Sequence, residues 1–251
     1  MSLSDQRELS AALFLCSVFF VPVLSAQEKC DVEVKLQLLP AESRVAVMAL
    51  KAGKESPITV YFFETDTLDL SSQGVIVRLR RGSGTDLTIK LRPVSGAKFL
   101  HPHAGRKDLK CEVDLTGDGA ISSYSITTRL AGERLPATGL EIYQLLSLEQ
   151  RNLLKEAEVS INWNQVKKIV EIQSTSWRAN GQPHLGRLAL ELWEWPGGKI
   201  LELSTRVGPK SGTQAYRELQ DLARSKWLTF SPDQQPKTKT VLQSITHSAW
   251  P

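Results

Sequence analysis

Charged and apolar residues take turns along the segment that follows residue 30: Asp31, Glu33 and Lys35 interleave with Val32, Val34 and Leu36. A period of two puts each set on one face of a strand. The same alternation returns with bases, Arg78 and Arg80 against Val77 and Leu79, then Lys90 and Arg92 against Ile89 and Leu91. Alternation or β-branched enrichment predicts strands at 30–39, 45–50, 58–64, 74–81, 86–92, 109–115, 121–130, 166–178, 185–195 and 199–206, divided by Gly, Pro, Ser or Asp turns. The first seven read as an antiparallel meander, with Asp118 and Gly119 at a hairpin turn that wants positive φ. Two helices are predicted. One, over 139–157, carries Leu140, Tyr143, Leu146, Leu153, Leu154 and Ala157 near one stripe; the other, over 213–228, has Thr213 as N-cap and Ala215, Tyr216, Leu219, Leu222, Ala223 and Trp227 on its apolar side.

Any single strand with one solvated face alternates in this way for no functional reason. The set is harder to explain so. Solvated faces mix signs so that cross-strand pairs attract, yet Arg78 and Arg80 are followed directly by Lys90 and Arg92 on the next strand. Like charges on hairpin neighbours repel unless an anion lies between them. The acids also recur in sets, at Glu112 and Asp114 beside Lys110 and again at Glu191, Glu194 and Glu202. A sheet face with acids on some strands and bases on others suits a polyanion bound together with metal ions.

Composition limits how that face is used. A chain of 251 residues, 41% hydrophobic, fits one large β-rich domain. A formal charge of +4 without Lys/Arg runs or an aromatic ladder argues against nucleic-acid binding. Residues 11–24 form an apolar run, shorter than the roughly 20 residues a membrane-spanning helix needs. They read as the core of a signal peptide over 1–26, with Ser25 and Ala26 before a cleavage point, which implies export and a mature domain over 27–251 with no membrane span. Cys16 falls inside that run. The remaining pair, Cys30 and Cys111, lies one residue out of phase with the charged positions, so both should face outward, and an exported protein permits their disulfide.

Other motif readings fail on order or completeness. Residues 208–213 hold P-loop residue types without the Gly-Lys-Ser/Thr order, and are better read as a helix-entry loop. Asp114, Thr116, Asp118 and Gly119 resemble half a calcium loop, but Ser125 stands where a bidentate acid belongs. His101 and His103 lack further spaced ligands, and the six tryptophans read as packing residues.

The ordered strings DVEVK (31–35), YFFET (61–65), GVIVRLRRG (74–82), KLRPV (90–94), KCEVD (110–114), LELST (201–205) and KTK (237–239) resemble the signature of the CYTH superfamily, the triphosphate tunnel metalloenzymes. The similarity spans about 31–242 and is nearest to an exported branch of that family. It implies an α+β, mainly β fold: an eight-stranded antiparallel barrel around a charged tunnel, with flanking helices. It also implies a metal-dependent hydrolase of triphosphate or short polyphosphate, with Mg²⁺ or Mn²⁺ held by Asp31, Glu33 and Glu202 and supported by Glu112 and Asp114. Arg78, Arg80, Lys90 and Arg92 would clamp phosphates, Lys35 and Lys239 would meet the terminal phosphate, and Glu33 and Lys35 would be the catalytic pair. The alternative is a non-catalytic polyphosphate or anion binder with a degenerate metal site. Asp31 stands for the usual Glu, Ser204 for a second late acid, Glu64 for an Asp, and Gln173 and Ser174 where a base is expected.

Overall fold

The computed structural model describes residues 30–92, 108–132 and 134–248; the expected signal segment, His101, His103 and the end of the KLRPV string lie outside the described residues. Among the described residues nine strands close into a barrel: β1 (Asp31–Leu38), β2 (Ser56–Glu64), β3 (Val75–Arg81), β4 (Thr85–Leu91), β5 (Lys110–Thr116), β6 (Gly119–Leu130), β7 (Lys167–Asn180), β8 (Arg187–Trp195) and β9 (Gly198–Val207). Their order around the ring is β1-β5-β6-β4-β3-β2-β7-β8-β9. The barrel is therefore nine-stranded rather than eight, and it is not wholly antiparallel: β1 runs parallel to β5, with Asp31 opposite Glu112 and Glu33 opposite Asp114. Gly119 closes the β5–β6 hairpin at φ 126°.

Alternation sorts the side chains as expected, with charge inside and apolar residues outside. Val32, Val34, Leu36 and Leu38 of β1 pack beneath Ala215, Leu219, Leu222 and Ala223 of α5 (Gly212–Ser225) and Ala46 of α1 (Ser43–Ala49). Around the ring, Val75, Val77, Leu79, Leu87, Ile89 and Leu91 pack beneath Ile142 and Leu146 with α3 (Gly139–Leu145), and Leu153 and Leu154 of α4 (Leu148–Glu156). Burying a side chain of this size is worth about 1.5–3 kcal/mol each. The outer helices thus hold a barrel whose interior is too polar to hold itself.

Four local expectations change. The strand expected over 45–50 is helical through Ala49 with Leu50 as its C-cap, because Ala46, Ala49 and Leu50 turn inward while Val45 and Met48 stay exposed; in so short an apolar run the two periods cannot be told apart. The helix expected over 139–157 is two, broken where Leu146 is extended. Each half starts with its own capping box, Thr138 with Glu141 and Ser147 with Gln150. Gln150 also donates from Nε2 to the carbonyls of Leu87 (2.8 Å) and Ile126 (3.0 Å), pinning α4 to the barrel wall. In α5 the cap position is Ser211, not Thr213, and beyond the helix Trp227 turns left-handed (φ 57°) and lies 90% exposed rather than packed. Finally, the KTK string, which the resemblance matches to a C-terminal basic strand of the family, opens α6 (Lys237–Ser248) instead. Among the described residues no helix is long and apolar enough to cross a membrane.

Cys30 and Cys111 form a disulfide with α-carbons 5.0 Å apart. Both lie with the outer apolar cluster, away from the charged face, as their phase requires.

Candidate functional site: a charged tunnel

The inward faces enclose a cavity of about 560 Å³. Among the described residues ten basic side chains line it, Lys35, Arg78, Arg80, Lys90, Arg92, Lys110, Arg178, Arg187, Arg206 and Lys237, against the carboxylates of Glu33, Glu112, Glu191 and Glu202. At one end Val241 of α6 joins the inward Val60, Phe62, Ile172 and Trp193 in an apolar plug, which brings Lys237 and Thr238 into the cavity wall.

Asp114 is the hub. It is fully buried, and it accepts from Lys35 Nζ at 2.7 Å, Lys90 Nζ at 3.1 Å and Arg92 Nη2 at 2.8 Å. Burial alone would raise its pKa, but the three cations overcome burial and hold the carboxyl well below the usual range. Lys35 also pairs with Glu33 Oε2 at 3.0 Å. Burial works against its charge, while Asp114, Glu33 and Glu202 together raise it well above the usual lysine range. Lys90 falls the other way: burial, with Arg92 and Lys35 nearby, pushes it down to about 8 despite Asp114.

A second node lies against α6. Glu191 accepts from Lys237 Nζ, from Ser174 Oγ at 2.8 Å and from Trp193 Nε1 at 2.8 Å, and these partners overcome burial to hold it down to about 2. Lys237 also meets Glu202 at 2.9 Å and lies over the Trp193 ring, 4.5 Å from its centroid. Arg78 stands apart from both nodes. Among the described residues its buried Nε has no hydrogen-bond partner, and burial with the neighbouring Arg80 pushes it down to about 10. An always-charged guanidinium left so is costly until an anion meets it.

No family model matches the sequence, and no curated protein matches it. Solved structures do resemble the fold. A putative adenylyl cyclase from Hippeastrum, described as having a dominant triphosphatase activity, superposes with a TM-score of 0.64 at 17% identity, over 85% of this chain and 95% of that one. A putative adenylate cyclase from Bacillus halodurans gives 0.55 at 18% identity, over 84% and 97%. The chain shares its fold with these two proteins. On this barrel the expected residues Glu33, Lys35, Arg78, Arg80, Lys90, Arg92, Glu112 and Glu202 all line one cavity, with Asp114 buried beside them. Asp31 shares the inward phase, but it is exposed and outside the lining, and Lys239 is exposed on α6, where Lys237 enters instead. Glu64 is buried outside the cavity and accepts from the backbone N–H groups of Thr65, Leu70 and Ser71, so it caps a turn.

The sequence reading did not assign Arg187, Arg206 or Lys237 to the site, and it noted Arg178 only as the base nearest Gln173 and Ser174. Extending the alternation from Glu202 and Ser204 by one step reaches Arg206, and from Glu191 back by four reaches Arg187. Lys237 carried no such signal, because it lies on a helix, α6, where a period of two does not apply.

The donor set fits a small divalent ion at one point. Glu112 Oε1 accepts from Arg206 Nη2, and the same nitrogen lies 3.7 Å from Glu33 Oε1, so carboxylates of two adjacent strands converge on one cation. Among the described residues no third acid, His or Cys joins them. Mg²⁺ tolerates that, because it is commonly held by one or two carboxylates, with water and phosphate oxygens in the remaining positions.

Proposed function

We propose that the tunnel binds the triphosphate end of inorganic tripolyphosphate or short polyphosphate and hydrolyses it with Mg²⁺ or Mn²⁺. The observation that carries this reading is Arg78, whose buried Nε has no partner among the described residues in a strongly cationic cavity. Arg78, Arg80, Lys90 and Arg92 would hold phosphate oxygens, and Lys35 would hold the terminal one while keeping Glu33 in place. Glu33 and Glu112 would hold the ion, which when bound neutralises charge on the phosphates and orients the attacking water. Positioning and electrostatics are what phosphoryl transfer requires. The Cys30–Cys111 disulfide supports an oxidising compartment, where tripolyphosphate is a better substrate than intracellular nucleotides.

One observation favours a second reading, metal-free anion binding. Each carboxylate in the cavity already has a lysine or arginine partner. Phosphate release from tripolyphosphate, ATP and thiamine triphosphate with either metal decides between the two. Under the hydrolase reading Glu33→Gln abolishes metal-dependent release and keeps tripolyphosphate binding, whereas Arg78→Ala weakens binding itself. Binding that persists in a chelator, with no release from any substrate, sinks the hydrolase.

A further inference from the structure

We infer that Arg206 is a tethered counter-cation: it fills the point between Glu33 and Glu112 where a divalent ion would sit, and it must leave before one can bind. The inference rests on the metal-assisted reading above. Arg206 is paired directly with Glu33 across β9 and β1, and its guanidinium reaches past β1 to Glu112 on β5. The other oxygen of Glu33 is taken by Lys35, and Glu112 has Lys110 at 2.7 Å. Among the described residues, removing Arg206 from this spot therefore opens a gap facing two carboxylates, Glu33 still paired with Lys35 and Glu112 with Lys110.

Two properties make Arg206 a displaceable plug rather than a fixed strut. Its side chain is 44% exposed, unlike Lys35 at 11%, so it can swing without losing a packed environment. Its planar fork of donors matches phosphate oxygens as well as carboxylates, so an arriving phosphate can release it. Arginine forms bidentate hydrogen bonds with phosphate oxygens, and Arg206 lines the same cavity as Arg78 and Lys90. A polyphosphate that draws the guanidinium away frees Glu33 and Glu112 for the ion. Phosphate and metal then favour one another's binding, and metal alone binds poorly.

The test is Mn²⁺ binding followed by the electron paramagnetic resonance signal of the free ion, with no phosphate present. Arg206→Ala should bind one Mn²⁺ at least about tenfold more tightly than wild type, the scale expected when one competing unit charge a few ångström away is removed. Adding Glu33→Gln should abolish the gain. Arg206→Gln, which keeps much of the side-chain bulk, should reproduce it should the alanine variant fold poorly. Equal Mn²⁺ affinity in wild type and both variants overturns the inference, as does a gain that survives Glu33→Gln. If Mn²⁺ affinity rises as stated but no variant releases phosphate from tripolyphosphate, the counter-cation stands and the hydrolase reading falls.

Discussion

Replacing Asp114 with asparagine should do more harm than any other single charge change in the tunnel. The substitution keeps the size of the side chain and leaves Lys35, Lys90 and Arg92 crowded without their shared anion. Removing one partner of a buried pair costs about 3–5 kcal/mol. The lower end applies here, because Lys35 retains Glu33 at 3.0 Å and Lys90 can shed its proton. About 3 kcal/mol corresponds to a fall in Tm of roughly 6–12 °C for a domain of this size. Tripolyphosphate supplies the missing negative charge, and a ligand at a hundred times its Kd adds about 2.7 kcal/mol. Thermal melts with and without tripolyphosphate, metal chelated, should show Asp114→Asn recovering most of its loss and gaining more from the ligand than wild type does. A variant that melts within about 2 °C of wild type, or gains no more from the ligand, would show that Asp114 does not hold these cations together.

Lys90 gives a pH signature. Its folded pKa, about 8, lies below its unfolded value near 10.4, so the unfolded chain binds more protons between the two and stability from this group rises as pH climbs through that window. Anion binding should reverse the depression, so calorimetry of tripolyphosphate binding near pH 8 in buffers of different ionisation enthalpy should detect proton uptake that Lys90→Gln abolishes; no buffer dependence refutes it. The disulfide closes a sequence separation of 81 residues, and the loss of that closure should cost roughly 4 kcal/mol, read as a lower denaturant midpoint for the Cys30→Ser/Cys111→Ser double variant. An unchanged midpoint would show that the bond adds nothing.

The charged interior was legible because a barrel preserves the oldest signal in a strand, its period of two. Glu33, Lys35, Arg78, Arg80, Lys90 and Arg92 needed only that phase to be assigned one face, and closure of the ring did the rest. Asp31 shows the limit of the rule. It has the right phase but sits at the first position of β1, where the strand emerges and the side chain reaches solvent. The parallel pairing of β1 with β5 left no mark in the sequence, because it is a contact between elements whose connection runs through three other strands. Lys237 was hidden for a different reason: three alternating polar residues satisfy a strand period as readily as a first helical turn, and only Pro236 just before them pointed to a helix start.

That parallel seam also sets the order in which the molecule can assemble. β1 leaves the ribosome first, yet its neighbours in the ring are residues 110–116 and 198–207, so it waits for nearly the whole barrel to be made. Contacts so distant along the chain form slowly, because loop closure must precede any reward from them. Until β9 arrives, one side of β1 is an open edge, with Val32, Val34 and Leu36 beside it awaiting the cover of α5. Such an edge recruits strands from other chains. A polypeptide cut short before residue 198 therefore does not make a narrower tunnel; it makes an unfinished sheet prone to aggregation, and a bond between Cys30 and Cys111 steadies only the half of the seam that is already built.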